Sequence, residues 1–455
     1  MRKTHKIGGT NIFLTVLLFL GCITVLFPLY MTVMIAFKNP SEMTNDVAGA
    51  LSFPSSWSLS NFSEAMRVTN FWHSLGNSFL ITAVTIVLAV LYLAAGHYFA
   101  VQGLSFFKEK SPTDVVEARV VKILPAAAGA KFEQIRFEAE LLSGKQEGVK
   151  VTAAQNKAGS FAVGRDVAVG DKVLLLPGQS SQGEWSYAEH LRSNVLMWLF
   201  AVFALSIIAF GRMQGVNTLI SLIFCCLSIF AVFVPAILSG KNVYCWTILT
   251  CAFIVVTNLL LVNGISRKTI ATILGCIGGL VIAALISASA DSFLQLTGLV
   301  DEDSMYLLFL NPADPVDLKA IIFSAIIIGA LGAIMDVAMD IASALNELAA
   351  TTAEPTRKML LQAGNNIGRD ILGMMSNTLI LAYIGGSLTI VLLFFAYNHS
   401  LLYLLNKEMV VVEILQAVIG SFGILFTIPF TSFICSRLYV KKAGRRHKSG
   451  LENKI

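Results

Sequence analysis

Charged residues are scarce in this sequence. Only 13% of the 455 residues are charged, whereas soluble domains carry about 25%. This scarcity argues against a disordered chain, a nucleic-acid-binding protein and an ordinary water-soluble enzyme. The hydrophobic share of 56% and the mean hydropathy of +0.73 instead favour a protein that uses the lipid bilayer as its solvent.

Cysteines and enzyme motifs are scarce or absent as well. The seven cysteines all lie within apolar runs, where cysteine acts as a small apolar residue, and they indicate no disulfide framework. The sequence contains no G-x-x-x-x-G-K-[ST], H-E-x-x-H, C-x-x-C or G-x-S-x-G motif. The six histidines are scattered and indicate no metal set. We therefore expect no catalytic residue, no metal, no cofactor and no enzyme activity.

Long hydrophobic runs are abundant. A helix needs about 20 consecutive, mostly apolar residues to cross a bilayer, and in lipid a helix satisfies its own backbone hydrogen bonds. The sequence predicts a polytopic α-helical membrane protein with about nine spans. They are residues 12–37, 76–101, 194–210, 216–238, 244–264, 270–290, 318–341, 371–396 and 410–435.

One region between these runs has the composition of a soluble domain. Residues 102–192 contain 12 Lys and Arg and 11 Asp and Glu, so about a quarter of the region is charged. Ile135, Phe137, Ala139 and Leu141 alternate with polar residues, which is typical of a half-buried strand. We predict a small inserted all-β domain, either a barrel or a sandwich. Its nearly balanced charge offers no basic surface for nucleic acid.

The loop charges predict an orientation, because short cytoplasmic loops are rich in Lys and Arg. Residues 437–455 form a basic tail, which we place in the cytoplasm of a bacterial cell. Residues 291–317 are acidic and lack Lys and Arg, so we place them outside. Counting spans backward from the tail puts the β domain outside the cytoplasmic membrane. Counting forward from the basic N-terminus puts it inside, so the two counts disagree by one crossing.

Three explanations remain open for this disagreement. One of the first two runs does not span, or the N-terminus lies outside despite its charge, or two unrelated membrane proteins are joined. The third explanation draws on strings near the N-terminus: FPLY at 27–30, AFKNPSE at 36–42, FP at 53–54, NF at 61–62, EA at 64–65 and NSFL at 77–80.

These strings make residues 1–90 resemble the N-terminus of a carbohydrate ABC-transporter permease, with one to two spans. Such permeases dock their ATPase through a cytoplasmic EAA-type loop, which is not found in this sequence. The resemblance therefore implies no ABC ATPase partner. It describes a non-functional piece or, as an alternative, a defective sugar permease subunit.

A second resemblance begins near residue 91 and extends to about residue 440. Its strings are VGDKV at 169–173, GAIMDVAMDIAS at 332–343, GRDILG at 368–373 and NTLILAYIGG at 377–386. This part of the chain is similar to the YibE/F-like family of bacterial multi-pass membrane proteins. The resemblance implies one span, an external domain, and then a seven-helix bundle at residues 194–436. In such proteins the first span runs outward, whereas the second permease span runs inward, so residues 76–101 look like a splice produced by gene fusion.

Candidate site residues lie in two polar clusters. Asp336, Asp340, Ser343 and Glu347 have the i, i+4, i+7, i+11 spacing of a single helical stripe, and Asn346 lies beside it. Carboxylates are costly at membrane depth and usually face water or a bundle interior, so we interpret this acidic stripe as a cation or proton site. The alternatives are the wet face of an interfacial helix and internal pairing of the acids with Arg369.

The second cluster lies at the start of the hydrophobic run at 371–396. Arg369, Asp370 and Asn377 belong to it. If Pro355 lets the two segments fold back as a hairpin, Arg369 and Asn377 meet the acidic stripe in a polar pocket. The alternative is that Arg369 and Asp370 mark the membrane boundary. Separate sets of small residues predict close helix packing, namely Gly275, Gly278, Gly279, Gly329, Gly332, Gly385 and Gly386.

Together these features predict transport or export of a small solute or ion. The alternative is a membrane accessory or assembly protein that uses its β domain as a binding module. We expect the lipid bilayer as a partner and leave self-association open.

Overall fold

The computed structural model describes residues 30, 34–38, 53, 57–68, 70–102, 115–125, 133–144, 146–157, 165–177, 185–300, 302–310, 316–396 and 400–452. The chain divides into two compact units, residues 1–84 and 85–455. Most of the span expected at 12–37 lies outside the described residues.

The first unit contains helix α1, Ser60–Val68, and the start of helix α2, Phe71–Val101. The Asn61 side-chain amide donates to the backbone oxygens of Ile35 and Lys38, at 3.0 and 2.7 Å. The Phe37 ring packs 5.3 Å from that of Trp57. These contacts fasten α1 to the segment before it.

Five strands of the second unit form a closed barrel. They are β1 Val116–Leu124, β2 Glu133–Leu141, β3 Lys150–Lys157, β4 Lys172–Leu176 and β5 Trp185–His190. The order around the barrel is β1-β2-β3-β5-β4, and β4 pairs with β1 to close it. Strands β3 and β5 are parallel, whereas the other neighbours are antiparallel. This is the topology of an OB-fold.

The barrel core follows the alternation seen in the sequence. Phe137, Ala139 and Leu141 are at most 1% exposed, because every second side chain of β2 points inward. Val173 and Leu175 of β4 pack against them from across the barrel. The expectation of a small all-β region is therefore confirmed.

The remaining elements are helical. They are α3 Ser193–Leu227, a π-helical turn Ser228–Phe233, α4 Val234–Leu238, α5 Val243–Asn263, α6 Arg267–Leu294, α7 Glu302–Leu310, α8 Leu318–Thr351, α9 Arg357–Gly386, α10 Leu388–Ala396, α11 Leu401–Leu405 and α12 Glu408–Glu452. Side chains that accept a hydrogen bond from a free backbone N–H fix several helix starts. The capping residues of α5, α6, α8 and α9 are, in this order, Asn242, Ser266, Asp317 and Thr356.

Six helical segments among the described residues are long and apolar enough to cross a membrane. They are Phe71–Val101, Ser193–Leu238, Val243–Asn263, Arg267–Leu294, Leu318–Thr351 and Glu408–Val440. The expectation of about nine spans is therefore not confirmed. Two expected spans fall within the single segment Ser193–Leu238, and the run at 371–396 is interrupted at Ser387, between α9 and α10.

The segment Ser193–Leu238 bends sharply at Arg212. This residue has φ 50° and ψ −128°, a conformation that side chains with a Cβ rarely adopt. A Cβ on Gly215 would meet the backbone of Ile207, although residues eight apart in a straight helix are separated by about 12 Å. The 46 residues would extend about 69 Å if straight, roughly twice the hydrocarbon thickness of a bilayer.

Hydrogen bonds show which helix ends lie together. At one end, the Ser239 hydroxyl donates to the backbone oxygen of Ala100 at 2.6 Å. We call this the barrel end, because α2 leaves it for the barrel and α3 returns from it. At the opposite, tail end, the Arg267 guanidinium donates to the backbone oxygen of Leu438 at 3.2 Å, and the Tyr439 hydroxyl to that of Ala342 at 3.1 Å.

Helix α8 is the centre of the bundle. Its apolar residues pack against α5, α6, α9 and α12, and it is the most buried of the six candidate spans. Its fully or nearly fully buried residues include Ile326, Ile327, Ala330, Leu331, Ile334, Val337, Ala338 and Ile341.

Small residues let α6 approach α12 closely, as the sequence predicted for the glycines of α6. A Cβ on Gly275 would meet Thr431, one on Gly278 would meet Phe430, and one on Gly279 would meet Thr427. On α8, a Cβ on Gly329 would meet the Tyr383 hydroxyl. Three other glycines have open space around them, so the packing expectation was wrong there: Gly332, Gly385 and Gly386.

Gly279→Ala should lower the free energy of unfolding by about 1–3 kcal/mol, because the added methyl group overpacks the contact with Thr427. Gly373 of α9 has nothing within 4 Å of its Cβ position. Gly373→Ala is the matched control and should leave stability unchanged or raise it, since alanine favours helix. Chemical unfolding in detergent, followed by tryptophan fluorescence, measures both. Equal stability of the two variants would contradict the packing described.

Candidate functional site

The acidic stripe lies on the second half of α8. Asp336, Asp340, Asn346 and Glu347 are exposed, and Ser343 is half-buried. A crossing of about 30 Å uses about 20 residues of helix, and α8 begins at Leu318. Asp336 therefore lies near the tail-end boundary of the bilayer, and the other members lie at or beyond it.

The stripe has few partners among the described residues. Asp340 is close enough to Asp336 to act on it electrostatically, and Asp336 acts in the same way on the Cys276 thiol of α6. The Ser343 hydroxyl lies 3.6 Å from the Met339 sulfur. No ion pair within the described residues involves Asp336, Asp340 or Glu347.

The second polar cluster lies on α9 and is also exposed. Arg369, Asp370 and Asn377 face away from α12, because α9 packs on α12 through Gly364 and Gly368. No hydrogen bond or ion pair in the described structure joins Arg369 or Asn377 to the acidic stripe. The ion-binding role of the two clusters stays a prediction.

A cavity that the sequence did not reveal opens at the barrel end of the bundle. Its volume is about 150 Å³, and α5, α6, α8 and α12 all contribute to its walls. The lining residues are Tyr244, Ser287, Ala288, Asp291, Leu296, Lys319, Ile322, Phe323, Ile326 and Leu415. We call it the barrel-end cavity.

One acidic and one basic side chain, Asp291 and Lys319, line the barrel-end cavity. The Asp291 Oδ1 atom is shut off from solvent and has no hydrogen-bond partner, an arrangement that costs free energy unless a donor reaches it. Lys319 forms no ion pair with Asp291 or with any other described residue. Tyr244 lies within electrostatic reach of Asp291 and Asp317. The cavity thus presents opposite charges that do not neutralise each other by contact.

Helix ends position these polar groups. Ser287 and Asp291 are one turn apart near the end of α6, so both side chains face the same direction. Lys319 lies in the first turn of α8, directly after the Asp317 cap. In the sequence, Asp291 counted only as the start of the acidic stretch 291–317, and Lys319 lay just beyond that stretch. The i, i+4 spacing of Ser287 and Asp291 is too common to indicate a site.

A loop held by Glu408 borders the cavity. The Glu408 carboxylate accepts hydrogen bonds from the backbone N–H groups of Thr297 and Gly298, at 2.8 and 2.6 Å, and from the Thr297 hydroxyl at 2.7 Å. This loop carries Leu296, a cavity-lining residue that is 6% exposed. Gly298 has φ +89°, and a Cβ there would overlap Leu318. Glu408 therefore fixes one wall of the cavity.

Apolar packing closes the bundle toward the tail end. Beyond Ile326, the buried residues Ile327, Leu331 and Ile334 of α8 leave no polar group along that face. Lys319 and Asp336 are 17 residues apart on α8, which is about 25 Å along a helix. The barrel-end cavity and the acidic stripe are thus separate polar regions.

A comparison with known families matches this part of the chain. The family model described as YibE/F-like protein covers residues 199–441, which is 243 of the 455 residues. The chain belongs to the YibE/F-like family. The matched region of this YibE/F-like protein includes both the barrel-end cavity and the acidic stripe. No curated protein and no solved structure matches the chain, and the permease resemblance of residues 1–90 stays a prediction.

Glu408→Gln should destabilise the YibE/F-like protein by about 1–3 kcal/mol, because charge-assisted hydrogen bonds to the loop are weakened. Glu354→Gln is the control, since Glu354 is exposed at the other end of the bundle. Hydrogen exchange should rise at Thr297 and Gly298 in the Glu408 variant alone. Unchanged exchange at these two amides would show that Glu408 does not hold the loop.

Proposed function

We propose that this YibE/F-like protein transports or exports a small solute or ion through the bundle formed by α5, α6, α8 and α12. The observation that carries the proposal is the Asp291 carboxylate in the barrel-end cavity. A carboxylate retained inside a helical bundle in lipid usually lines a route for a solute or ion. Asp291 lines the cavity and forms no ion pair among the described residues, so a passing cation or hydrogen-bond donor would be stabilised beside it.

The acidic stripe gives the route a second polar end. The cavity opens at the barrel end, while Asp336 and Asp340 lie at the tail end, with apolar core between them. Transport therefore requires movement of α8 against its neighbours, so that the apolar core opens to the tail end as the cavity closes. In this proposal Asp336 and Asp340 exchange a cation or proton during that movement.

We also propose that the barrel end faces the outside of a bacterial cytoplasmic membrane. Arg212, Arg267 and Lys268 fall at turns on the tail side, as does the basic tail at 437–455. The loop at 295–317, on the barrel side, is acidic. This distribution follows the rule that cytoplasmic loops carry the excess of Lys and Arg.

A second candidate function is an accessory role at the membrane with the barrel as a binding module. It is favoured by a 220 Å³ cavity on the barrel that is lined by Arg165, Asp171, Lys172, His190, Leu191 and Arg192. We propose no function for residues 1–90, which we interpret as a permease-like piece acquired by gene fusion, and no ABC ATPase partner.

Asp291→Asn should reduce initial transport rates about tenfold or more, because the ligand loses its charged partner. The full chain in liposomes would be tested with radiolabelled sodium and rubidium, a mixture of radiolabelled amino acids, and an internal pH dye. Asp303→Asn, which removes an exposed acid from α7, is the matched control and should match the unmodified protein.

Two results in the same assay bear directly on the proposal. Transport equal to that of empty liposomes for every probe would contradict the transport function. Asp336→Asn and Asp340→Asn variants that transport as fast as the unmodified protein would contradict a role of the acidic stripe. They would not contradict the proposed role of Asp291.

Labelling of single cysteines tests the orientation. In a cysteine-free background, Lys150→Cys on the exposed barrel surface should react with a membrane-impermeant maleimide on intact cells, whereas a cysteine in residues 441–455 should not. Val120→Cys is the access control, because Val120 is 1% exposed. Reaction of the Lys150 position only after the membrane is permeabilised would reverse the orientation.

A further inference from the structure

The barrel-end cavity has features that identify a class of ligand. We propose that it binds a small zwitterion, with an ammonium group at Asp291, a carboxylate at Lys319 and a short apolar side chain between the helices. This inference rests on the proposed function in taking the cavity as the substrate site, but binding can be measured without transport.

The charges of the cavity are the first support. Asp291 and Lys319 line the same 150 Å³ space but form no ion pair at 4.0 Å or less with each other or with any other described residue. A lone cation would be attracted by Asp291 and repelled by Lys319. A lone anion would be attracted by Lys319 and repelled by Asp291. A ligand that carries both charges satisfies both side chains, so the arrangement favours a zwitterion.

The absence of a protein partner for Asp291 is the second support. The described residues give its carboxylate no ion pair, and its enclosed Oδ1 atom has no hydrogen-bond donor. An ammonium group would bring three N–H donors to the side of Asp291 that lines the cavity. Asp317, the other acid within electrostatic reach of Tyr244, already uses an oxygen to cap α8 through the Ala320 N–H, at 3.1 Å. Asp291 is therefore the carboxylate that is left for a ligand.

The size and walls of the cavity are the third support. The cavity volume of about 150 Å³ is similar to that of a cavity of about 150 Å³ that holds one benzene-sized molecule. Apolar groups of Ile322, Phe323 and Leu415 surround the polar atoms, and Ser287, 4% exposed, adds a hydroxyl. This space suits an α-amino acid with a small aliphatic side chain.

Three chemically matched probes test the proposal on the purified full chain. They are L-valine, isobutylamine, which lacks the carboxylate, and isovalerate, which lacks the ammonium group. Isothermal titration calorimetry should show saturable binding of L-valine, and each half-ligand should bind about tenfold or more weakly, because one of the two charged side chains stays unpaired. Equal binding of L-valine and either half-ligand would overturn the zwitterion assignment.

Two substitutions locate the site. Asp291→Asn and Lys319→Gln should each weaken L-valine binding about tenfold or more. Asp303→Asn and Lys241→Gln remove the same charges at barrel-end positions that do not line the cavity, and should bind like the unmodified protein. Thermal unfolding of the ligand-free variants reports folding, and Asp291→Asn should be at least as stable as the unmodified chain, since it removes an unpartnered charge.

The outcomes separate this inference from transport itself. L-valine binding that depends on Asp291 and Lys319, without flux, supports the binding site and contradicts the transport function. Flux of another probe that depends on Asp291, with no L-valine binding, keeps the transport function and overturns the zwitterion. Absence of binding for all three probes shows that the cavity holds water only, and also overturns it.

Discussion

The close packing of α8 against α6 and α12 is the constraint on which the bundle depends. In a bilayer no hydrophobic force drives helices together, so their association relies on close contact and hydrogen bonds. The glycines of α6 bring its backbone against Thr427 and Thr431 of α12, and α8 fills the space beside them with Ile326, Ile334 and other buried residues. Among the described residues this interior contains apolar groups and hydroxyls such as those of Thr427 and Thr431, but no buried charged side chain.

The charged side chains of the two candidate sites on α6 and α8 lie at the two ends of the bundle. Asp291 and Lys319 occur where α6 ends and α8 begins, at the barrel end, and Asp336 and Asp340 occur where α8 leaves the bilayer at the tail end. About 25 Å of helix separates the two regions. Because of this separation, the two sets of acids lie in different surroundings, and the transport proposed above needs a rearrangement of the core between them.

The barrel is stabilised by hydrogen bonds between strands and by a core of alternating side chains rather than by close helix packing. Its strands exchange backbone hydrogen bonds around a closed ring, so no strand edge is left to pair with another chain. Its core is built from every second residue, including Phe137 and Leu141. The barrel therefore relies on strand pairing and on the alternation of its side chains, whereas the bundle relies on close helix packing.

The sequence by itself determined the kind of protein, the helical and β regions and the family. An apolar run of about 20 residues predicts a membrane span, and alternation in residues 135–141 predicts a strand with two different faces. Both patterns can be read from the sequence because they depend only on neighbouring residues. Only the tertiary structure decided that Arg212 bends one long segment, that Gly332 lies in open space while Gly279 does not, and that Asp291 and Lys319 share a cavity. These features depend on contacts between residues that are far apart in the sequence. A local sequence pattern does not predict which helices pack against each other.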